Sequence, residues 1–305
     1  MSQAPAIVFP GQGAQRPGMG ESFREDAGYR AHLARADEIL GFGIGELIAC
    51  GPQEELTRTE IAQPALLTVM TGIYAVWKAV GGPEPAAVAG HSLGEYAALV
   101  AAGVLEFADA LELVRLRGRL MQQACDQRPG SMAAVLKPDL EAIKALCAKS
   151  AGQVVVANLN SPQQLVLSGE AEALQALLEH IREAKLGRPV ALKVSGAFHS
   201  PLMEPARQEL NAAIERLAFH DAAFPVVMNV RGEASRSGAT IRDQLCRQLT
   251  SPVHWSDSVV TLAAYSQRFV ELGPATLAPL IRQTLPEAET LTLATWPEMQ
   301  AAYSI

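Results

Sequence analysis

The sequence predicts an α/β protein in which a small unit is inserted into a larger domain. With 305 residues, 49% of them apolar and 19% charged, the chain is long enough to bury a substantial core without disulfide or metal cross-links. Short apolar runs typical of strands alternate with helical patterns, which favours a largely parallel sheet covered by helices. These runs span residues 6–9, 86–89, 225–228 and 269–272.

Composition and charge limit the classes of function. The net charge of −7 argues against a nucleic-acid-binding protein, in which basic residues would gather on one face. No apolar run approaches the ~18 residues of a membrane span, and the N-terminus lacks the basic segment of a secretory signal, so a cytoplasmic location is expected. The cysteines lack the spacing of metal ligands and are predicted to be structural thiols: Cys50, Cys125, Cys147 and Cys246.

The predicted strand at 86–89 runs into Gly90-His91-Ser92-Leu93-Gly94, and an amphipathic helix is predicted from Glu95 to Val104. Strand, turn and helix in this order are the setting of a nucleophile elbow, where a strained turn exposes a serine hydroxyl above the edge of a sheet. The bare G-x-S-x-G pattern also occurs by chance in ordinary turns, but the flanking strand and helix favour function. Ser92 is therefore the predicted nucleophile.

The next helical segment, residues 111–121, predicts an inward-facing arginine. On a helix, Arg115 and Arg119 share the face opposite to Arg117. A buried guanidinium keeps its charge and needs an anionic partner. That partner is either an internal Asp or Glu in a structural ion pair or a carboxylate of the substrate. The neighbours of Arg117 at three and four residues are all apolar: Leu113, Val114, Leu120 and Met121.

Residues 128–195 are predicted to form the inserted unit, and the larger domain is predicted to comprise residues 1–127 and 196–305. The βαββαβ order of the inserted unit is that of a ferredoxin-like fold. A cleft between the two parts is the expected ligand site. The predicted elements are a strand at 132–136, a helix at 139–149, strands at 154–158 and 164–168, a helix at 171–185 ended by Gly187, and a strand at 189–194.

A serine hydroxyl becomes a good nucleophile only when a neighbouring base takes its proton, so the histidines need examination. His199 lies where the inserted unit returns to the larger domain, and Ser200 and Pro201 after it are a good start for a helix. On chemistry alone His199 is the leading candidate among several. The others are solvated or packing candidates, or in one case adjacent to the serine and pointing away from it: His32, His180, His220, His254 and His91.

Further segments give the chain a specific resemblance to one family. Together with Arg117, they make the sequence resemble malonyl-CoA:acyl carrier protein transacylases, a family that includes the bacterial fatty-acid enzyme and the acyltransferases of polyketide synthases. The match runs over nearly the whole chain, and the motifs are highly specific only in combination. The segments are residues 9–15 (FPGQGAQ), 63–66 (QPAL), 90–99 (GHSLGEYAAL), 158–162 (NLNSP) and 196–200 (GAFHS), and Gln248 with 251–253 (SPV).

The resemblance implies an α/β-hydrolase-like domain with a ferredoxin-like insertion, and it implies the catalytic roles. Ser92 would form the acyl-enzyme ester, and His199 would act first as base and then as acid. The backbone N–H groups of Gln12 and Leu93 would form the oxyanion hole.

The resemblance also implies how the acyl group is held. Arg117 would bind the free carboxylate of malonyl, Gln63 would line the site, and Gln248 would orient His199 through a neutral contact where hydrolases use Asp or Glu. Phe198, an aromatic residue before the histidine, accompanies malonyl preference in this family because a bulky ring leaves little room for an α-methyl branch. The chain departs from many relatives at residues 273–275, which read Gly-Pro-Ala instead of Gly-Pro-Gly.

The implied reaction is transfer of a malonyl group from coenzyme A to the phosphopantetheine thiol of an acyl carrier protein, with no metal or redox cofactor. A trans-acting polyketide synthase acyltransferase and a malonate decarboxylase transacylase are alternatives of the same class. A serine acyl-thioester hydrolase is disfavoured by Arg117, and an inactive docking module is disfavoured by the presence of both Ser92 and His199. A monomer is expected. The basic residues Arg182, Lys185 and Arg188 either meet the acidic carrier or form an ordinary solvated face.

Overall fold

The structure, a computed structural model, describes residues 4–150, 152–194 and 196–303, so the first three residues, considered above for a secretory signal, lie outside it. Its fold is a mixed α/β arrangement of two sheets and their covering helices. The strands are β1 (Ala6–Phe9), β2 (Ala87–Gly90), β3 (Gly130–Leu136), β4 (Val154–Ser161), β5 (Gln164–Glu170), β6 (Arg188–Ala191), β7 (Val226–Met228), β8 (Glu233–Ser235), β9 (Arg268–Leu272) and β10 (Glu289–Leu293). The helices are α1 (Ala27–Leu40), α2 (Ile44–Cys50), α3 (Gln53–Thr57), α4 (Thr59–Ala79), α5 (Gly94–Ala101), α6 (Phe107–Gln127), α7 (Leu140–Lys149), α8 (Ala171–Glu183), α9 (Glu204–Ile214), α10 (Gly238–Gln248), α11 (Trp255–Ala263), α12 (Ala278–Thr284) and α13 (Trp296–Tyr303), with short 3₁₀ helices at Glu21–Phe23 and Pro201–Met203.

The larger sheet has the strand order β10-β9-β1-β2-β7-β8. Its pairings are parallel except for that of β8, which runs antiparallel to β7. In β1, Ile7 and Phe9 face a core shared with α4, α5 and α6, whereas Ala6 and Val8 face a second core shared with α11 and α12. Because both faces are covered, the strand is apolar at every position. The predicted, largely parallel sheet is confirmed.

The smaller sheet has the order β4-β5-β3-β6, and its neighbouring strands are antiparallel. Its elements follow one another as β3, α7, β4, β5, α8 and β6, which is the predicted sequence of strands and helices. Helices α7 and α8 pack on this sheet through a core of their own, to which Val135, Ile143 and Leu178 belong.

The end of α8 differs from the prediction. The helix ends at Glu183, and Lys185 takes the left-handed conformation after it, with φ at 54°. Gly187 lies beyond the helix, where its φ of 147° and the close approach of Val135, 2.6 Å from the position of a Cβ, both favour glycine. The prediction that Gly187 ends the helix is therefore wrong, and the strand that follows stops at Ala191, earlier than predicted.

Backbone hydrogen bonds join β4 of the smaller sheet to the segment before α11, beside a cavity. The N–H of Val253 donates to the carbonyl of Ala157 at 2.8 Å, and the N–H of Leu159 donates to the carbonyl of Val253 at 2.9 Å. The cavity has a volume of about 540 Å³ and is lined on one side by Ala134 and Val166 of the smaller sheet. Its other side is formed by the loops that follow β1 and β2, the carboxyl ends at which α/β sheets bind ligands.

Candidate active site

The turn between β2 and α5 has the geometry of a nucleophile elbow. Ser92 has φ at 51°, a left-handed conformation that is costly for a residue with a side chain. A Cβ on Gly90 would overlap the backbone of Gly94, and a Cβ on Gly94 would overlap the carbonyl oxygen of Phe9. The predicted strand–turn–helix is confirmed, although the helix runs from Gly94 to Ala101 and ends before Val104.

The structure brings Ser92 and His199 into contact, with 2.7 Å between Oγ and Nε2. Nδ1 of His199 lies 3.1 Å from the main-chain carbonyl oxygens of both Gln248 and Ser251. Since carbonyl oxygens only accept, Nδ1 carries the ring proton, and Nε2 is free to accept from the serine hydroxyl. Burial, reinforced by the charge of Arg117, lowers the pKa of His199 to about 3 and keeps the ring neutral.

Gln248 contacts His199 through its main chain, while its side chain has other partners. The side-chain Nε2 donates to the carbonyl of Ser92 at 2.9 Å, and Oε1 accepts from Nη2 of Arg117 at 3.1 Å. The expected neutral contact to the histidine is therefore present, but two backbone carbonyls supply it, one of them from Ser251.

Arg117 is buried, with 1% of its surface exposed, as its helical position predicts. Its Nη1 donates to Oε1 of Gln63 at 3.0 Å, and Nη2 donates to Oγ of Ser92 at 3.1 Å as well as to Gln248. The guanidinium also lies over the ring of Tyr96, 5.6 Å from its centroid.

All the hydrogen-bond partners of the Arg117 guanidinium are neutral. Among the described residues, none of the ion pairs includes Arg117, so the internal ion pair considered from the sequence is not formed there. Burial accordingly lowers the pKa of Arg117 from its ordinary value. A buried cation with neutral partners, in contact with Oγ of Ser92, is suited to bind an anionic group of a ligand.

The other predicted site residues surround this centre. Gln63 is fully buried, and its Nε2 donates to Oε1 of Gln12 at 3.3 Å. Gln12 follows β1, and Leu93 precedes α5 in the loop after β2, so both belong to adjacent strand ends. The N–H of Leu93 lies at the start of the helix, where amides have no acceptor within the helix. Phe198, 7% exposed, forms part of the cavity wall.

The sequence interpretation missed Asn229, which fixes the elbow. Its Oδ1 accepts from the N–H of Ser92 at 2.7 Å, and its Nδ2 donates to the carbonyl of Gly90 at 2.7 Å. Asn229 is fully buried and follows β7, the neighbour of β2 in the sheet. A polar residue directly after an apolar strand is the signal that was available, because adjacent parallel strands end at the same edge.

His91 has partners away from the serine hydroxyl, as its place in the turn predicts. Its Nε2 lies 2.9 Å from Oδ1 of Asn160, and its ring packs edge-on against Trp255. Asn160 in turn donates to Oε1 of Gln164 at 2.7 Å. Burial lowers the pKa of His91, so the ring is a neutral structural neighbour of the nucleophile.

Metal sites and membrane-spanning helices are both absent from the described residues. Across residues 4–150, 152–194 and 196–303, no three His, Cys, Asp or Glu side chains are grouped as metal ligands, and none of the cysteines there forms a disulfide. In the same part of the chain, helices are either too short or too polar to cross a bilayer.

A serine on a strained strand–turn–helix, hydrogen-bonded to a neutral histidine at the carboxyl edge of a parallel sheet, defines the class of serine-nucleophile enzymes that act on acyl groups. The family model of the acyl transferase domain matches residues 6–301. The chain belongs to this acyl transferase family.

Characterised relatives and solved structures give the same result over the full length. The malonyl CoA-acyl carrier protein transacylase of Escherichia coli K12 is 40% identical over 303 residues, or 97% of each chain. The structure of the malonyl CoA-acyl carrier protein transacylase of Coxiella burnetii superposes with a TM-score of 0.95 at 37% identity, covering 100% of this chain and 98% of that one. A malonyl-transacylase in complex with a type II PKS acyl-carrier protein has a TM-score of 0.95 at 37% identity and 99% coverage of both chains.

Proposed function

We propose that this chain transfers a malonyl group from coenzyme A to the phosphopantetheine thiol of an acyl carrier protein, through an ester on Ser92. The observation that carries the proposal is the convergence of nucleophile, base and cation: Oγ of Ser92 lies 2.7 Å from Nε2 of His199 and 3.1 Å from Nη2 of Arg117. The names of the relatives and the solved complex of one of them with a carrier protein support the same substrates.

Acylation uses the neutral histidine as base. His199 takes the proton of the Ser92 hydroxyl through Nε2 while Oγ attacks the thioester carbonyl. The N–H groups of Gln12 and Leu93 stabilise the oxyanion of the tetrahedral intermediate. When the C–S bond breaks, His199 returns the proton to the sulfur, and coenzyme A leaves as the free thiol.

Transfer to the carrier repeats these steps in reverse. The phosphopantetheine thiol gives its proton to Nε2 of His199, its sulfur attacks the ester carbonyl, and the C–O bond to Ser92 breaks. The histidine then protonates Oγ and restores the free serine. One proton moves in each half-reaction, so the residues present balance the chemistry.

Arg117 and Phe198 are the proposed determinants of the acyl group. A malonyl carboxylate next to Arg117 would replace neutral acceptors with an anion that the guanidinium binds through charge-assisted hydrogen bonds. Phe198 in the cavity wall would exclude acyl groups with a branch next to the thioester carbonyl. Gln63 is proposed to hold the guanidinium in place, since it accepts from Nη1.

We also propose an α/β-hydrolase-like part (residues 1–127 and 196–305) and an inserted ferredoxin-like part (residues 128–195). The order β4-β5-β3-β6, with antiparallel neighbours and two helices on one face, supports the second assignment. The protein is expected to act as a monomer, because the described chain contains the nucleophile, the base and the proposed carboxylate-binding residue.

The test is covalent labelling followed by transfer. Wild-type protein incubated with radiolabelled malonyl-CoA should carry one label per chain and pass it to an added holo-acyl carrier protein, and Ser92→Ala should carry none. Persistence of the label in Ser92→Ala would contradict the assignment of the nucleophile. Release of coenzyme A at equal rates with and without the carrier, with free malonate as product, would instead identify a hydrolase.

A further inference from the structure

Glu95 is a buried carboxyl group in the active site that the reaction described above does not use. It lies in the first turn of α5, directly after the elbow, and is fully buried. Its two oxygens have different partners: Oε2 accepts from the main-chain N–H of Asn229, and Oε1 accepts from Nε2 of Gln248 at 3.2 Å. Burying a carboxyl group costs free energy unless hydrogen bonds compensate, so these two contacts are what allows Glu95 to be buried here.

One arm of this arrangement reaches the nucleophile. Asn229, held through its main chain by Glu95, binds the N–H of Ser92 and the carbonyl of Gly90 with its side chain. Gln248, held through its side chain by Glu95, donates to the carbonyl of Ser92. Both peptide groups of the strained serine are therefore bound by residues that Glu95 itself holds.

The other arm reaches the cation. Oε1 of Gln248 accepts from Nη2 of Arg117, while the Nε2 of the same amide donates to Glu95. The amide thus lies between a guanidinium and a carboxyl group, which fixes its orientation and places its oxygen toward Arg117. Glu95 is linked to Arg117 through one amide rather than by a direct ion pair, and the guanidinium keeps donors for a substrate.

We propose that Glu95 is a positioning residue that sets the geometry of Ser92 and of Arg117 together, through Asn229 and Gln248, and so contributes to selection of a carboxylated acyl group. The inference rests on the proposed function, because it assigns Arg117 to the malonyl carboxylate. Burial raises the pKa of Glu95 to about 8. The hydrogen bonds that Glu95 accepts and the charge of Arg117 partly oppose this rise.

The experiment compares Glu95→Gln with wild type in the half-reaction that releases coenzyme A, using malonyl-CoA and acetyl-CoA separately. A glutamine would place an NH₂ group opposite one of the two N–H donors, so one arm loses its hydrogen bond. The malonyl-to-acetyl ratio of kcat/KM should fall about tenfold, part of the roughly 30-fold or larger fall expected for Arg117→Ala. The rate at which a fluorophosphonate labels Ser92 should fall as well.

Glu271→Gln is the matched control. Glu271 is also a buried glutamate that accepts from main-chain N–H groups, those of Thr276, Leu277 and Ala278, and its hydrogen bonds within the described residues reach none of the site residues. This variant should lose stability to a similar extent and leave the malonyl-to-acetyl ratio unchanged. A purely structural role for Glu95 would make the two variants alike, with lower thermal stability and an unchanged ratio, and would overturn the proposal.

A second variant, Glu95→Asp, tests the same inference if Glu95→Gln does not fold. Glu95→Asp keeps a carboxyl group but shortens its reach, so it should lower the ratio in the same direction and by less; an unchanged ratio would again overturn the inference. The two hypotheses fail differently. Wild-type protein without a preference for malonyl over acetyl contradicts the proposed function, whereas a wild-type preference that both Glu95 variants retain contradicts only the inference about Glu95.

Discussion

At the scale of single residues, the site combines a histidine that burial keeps neutral with an arginine that stays charged. His199 is 4% exposed and bound at Nδ1 by two carbonyl oxygens, and Arg117 is buried against neutral acceptors. A neutral base and a permanently charged arginine side by side avoid two repelling cations. The chemistry therefore needs no change in protonation before the substrate enters.

This arrangement predicts an unusually flat pH profile for acylation. Because the pKa of His199 lies near 3, below that of an ordinary histidine at about 6.5, the ring stays neutral and able to accept a proton as the pH is lowered. The rate of the coenzyme A burst with saturating malonyl-CoA should change by less than about twofold between about pH 5 and 7. Rapid-quench measurements check this, and a rate that halves near pH 6.5 would contradict it.

The sequence predicts which residues form the site better than it predicts which groups those residues contact. The inward position of Arg117 follows from helical spacing, and Ser92 follows from the elbow pattern. The partners of these residues come from segments far apart in the chain, as with Asn229, and from main-chain groups, as with the carbonyl of Ser251. A carbonyl oxygen is present at every residue, so no sequence pattern distinguishes the one that binds a histidine.

At the scale of elements, the elbow depends on contact between α5 and the neighbouring strand. Gly94 begins the helix where its backbone meets the carbonyl of Phe9 at the end of β1. The absence of a side chain lets the helix start directly beside the sheet. This contact holds the N-terminal turn of the helix, and hence the N–H of Leu93, close to the loop that carries Gln12.

Gly94→Ala should therefore destabilise the fold and distort the site. The added methyl group has to displace main chain, not a flexible side chain, so a loss of about 3 kcal/mol in the free energy of unfolding is expected, measured by urea denaturation. Gly28→Ala in the first turn of α1 is the control, since its methyl group would meet only a side-chain oxygen of Asp26. The control should change stability by less than about 1 kcal/mol. Equal effects of the two substitutions would show that the contact with Phe9 is unimportant.

Element order could be predicted more fully than element ends. The alternation of apolar runs with helical patterns predicts four of the five parallel strands, all but β10, and the order of the small unit, because periodicity reports burial. The end of α8 was mispredicted because Lys185 takes the left-handed conformation after the helix, whereas Gly187 is needed two residues later for its φ of 147° and for a close approach. The short strand β8 was missed because Glu233–Ser235 is mostly polar, as an edge strand of three residues is free to be.

At the scale of the whole molecule, the charge is unevenly distributed. The chain carries a net charge of −7, yet Lys137, Arg182, Lys185 and Arg188 line one groove of about 650 Å³ whose described lining contains no Asp or Glu. Gln164 lines both this groove and the cavity beside Ser92. A basic groove next to the site is complementary to an acidic partner.

We predict that the carrier protein approaches over this basic groove. Arg182→Glu combined with Lys185→Glu should lower kcat/KM for the carrier about tenfold at low salt, because repulsion reduces the association rate, and added salt should narrow the difference. The rate of coenzyme A release from malonyl-CoA alone should stay the same. Transfer assays over a range of carrier concentrations and ionic strengths measure both quantities.

The control for the charge reversal is Lys149→Glu, an exposed lysine at the end of α7 that is not part of the groove lining. This substitution should leave transfer to the carrier unchanged. If the double variant instead raises KM for malonyl-CoA, the groove binds the phosphates of coenzyme A. An unchanged kcat/KM for the carrier would exclude the groove as its path.

The backbone bridge between β4 and the segment before α11 limits how far the cavity can open at this point. Val253 is bound by both Ala157 and Leu159, and the same segment carries the Ser251 carbonyl that holds His199. β4 and this segment cannot separate without breaking both hydrogen bonds and displacing the Ser251 carbonyl from His199, the proposed base. A thioester is therefore expected to reach Ser92 without such an opening, on an extended arm narrow enough for the cavity of about 540 Å³. The cavity would then select first for the width of the arm that carries the acyl group, and Arg117 would select afterwards for the charge of the acyl group.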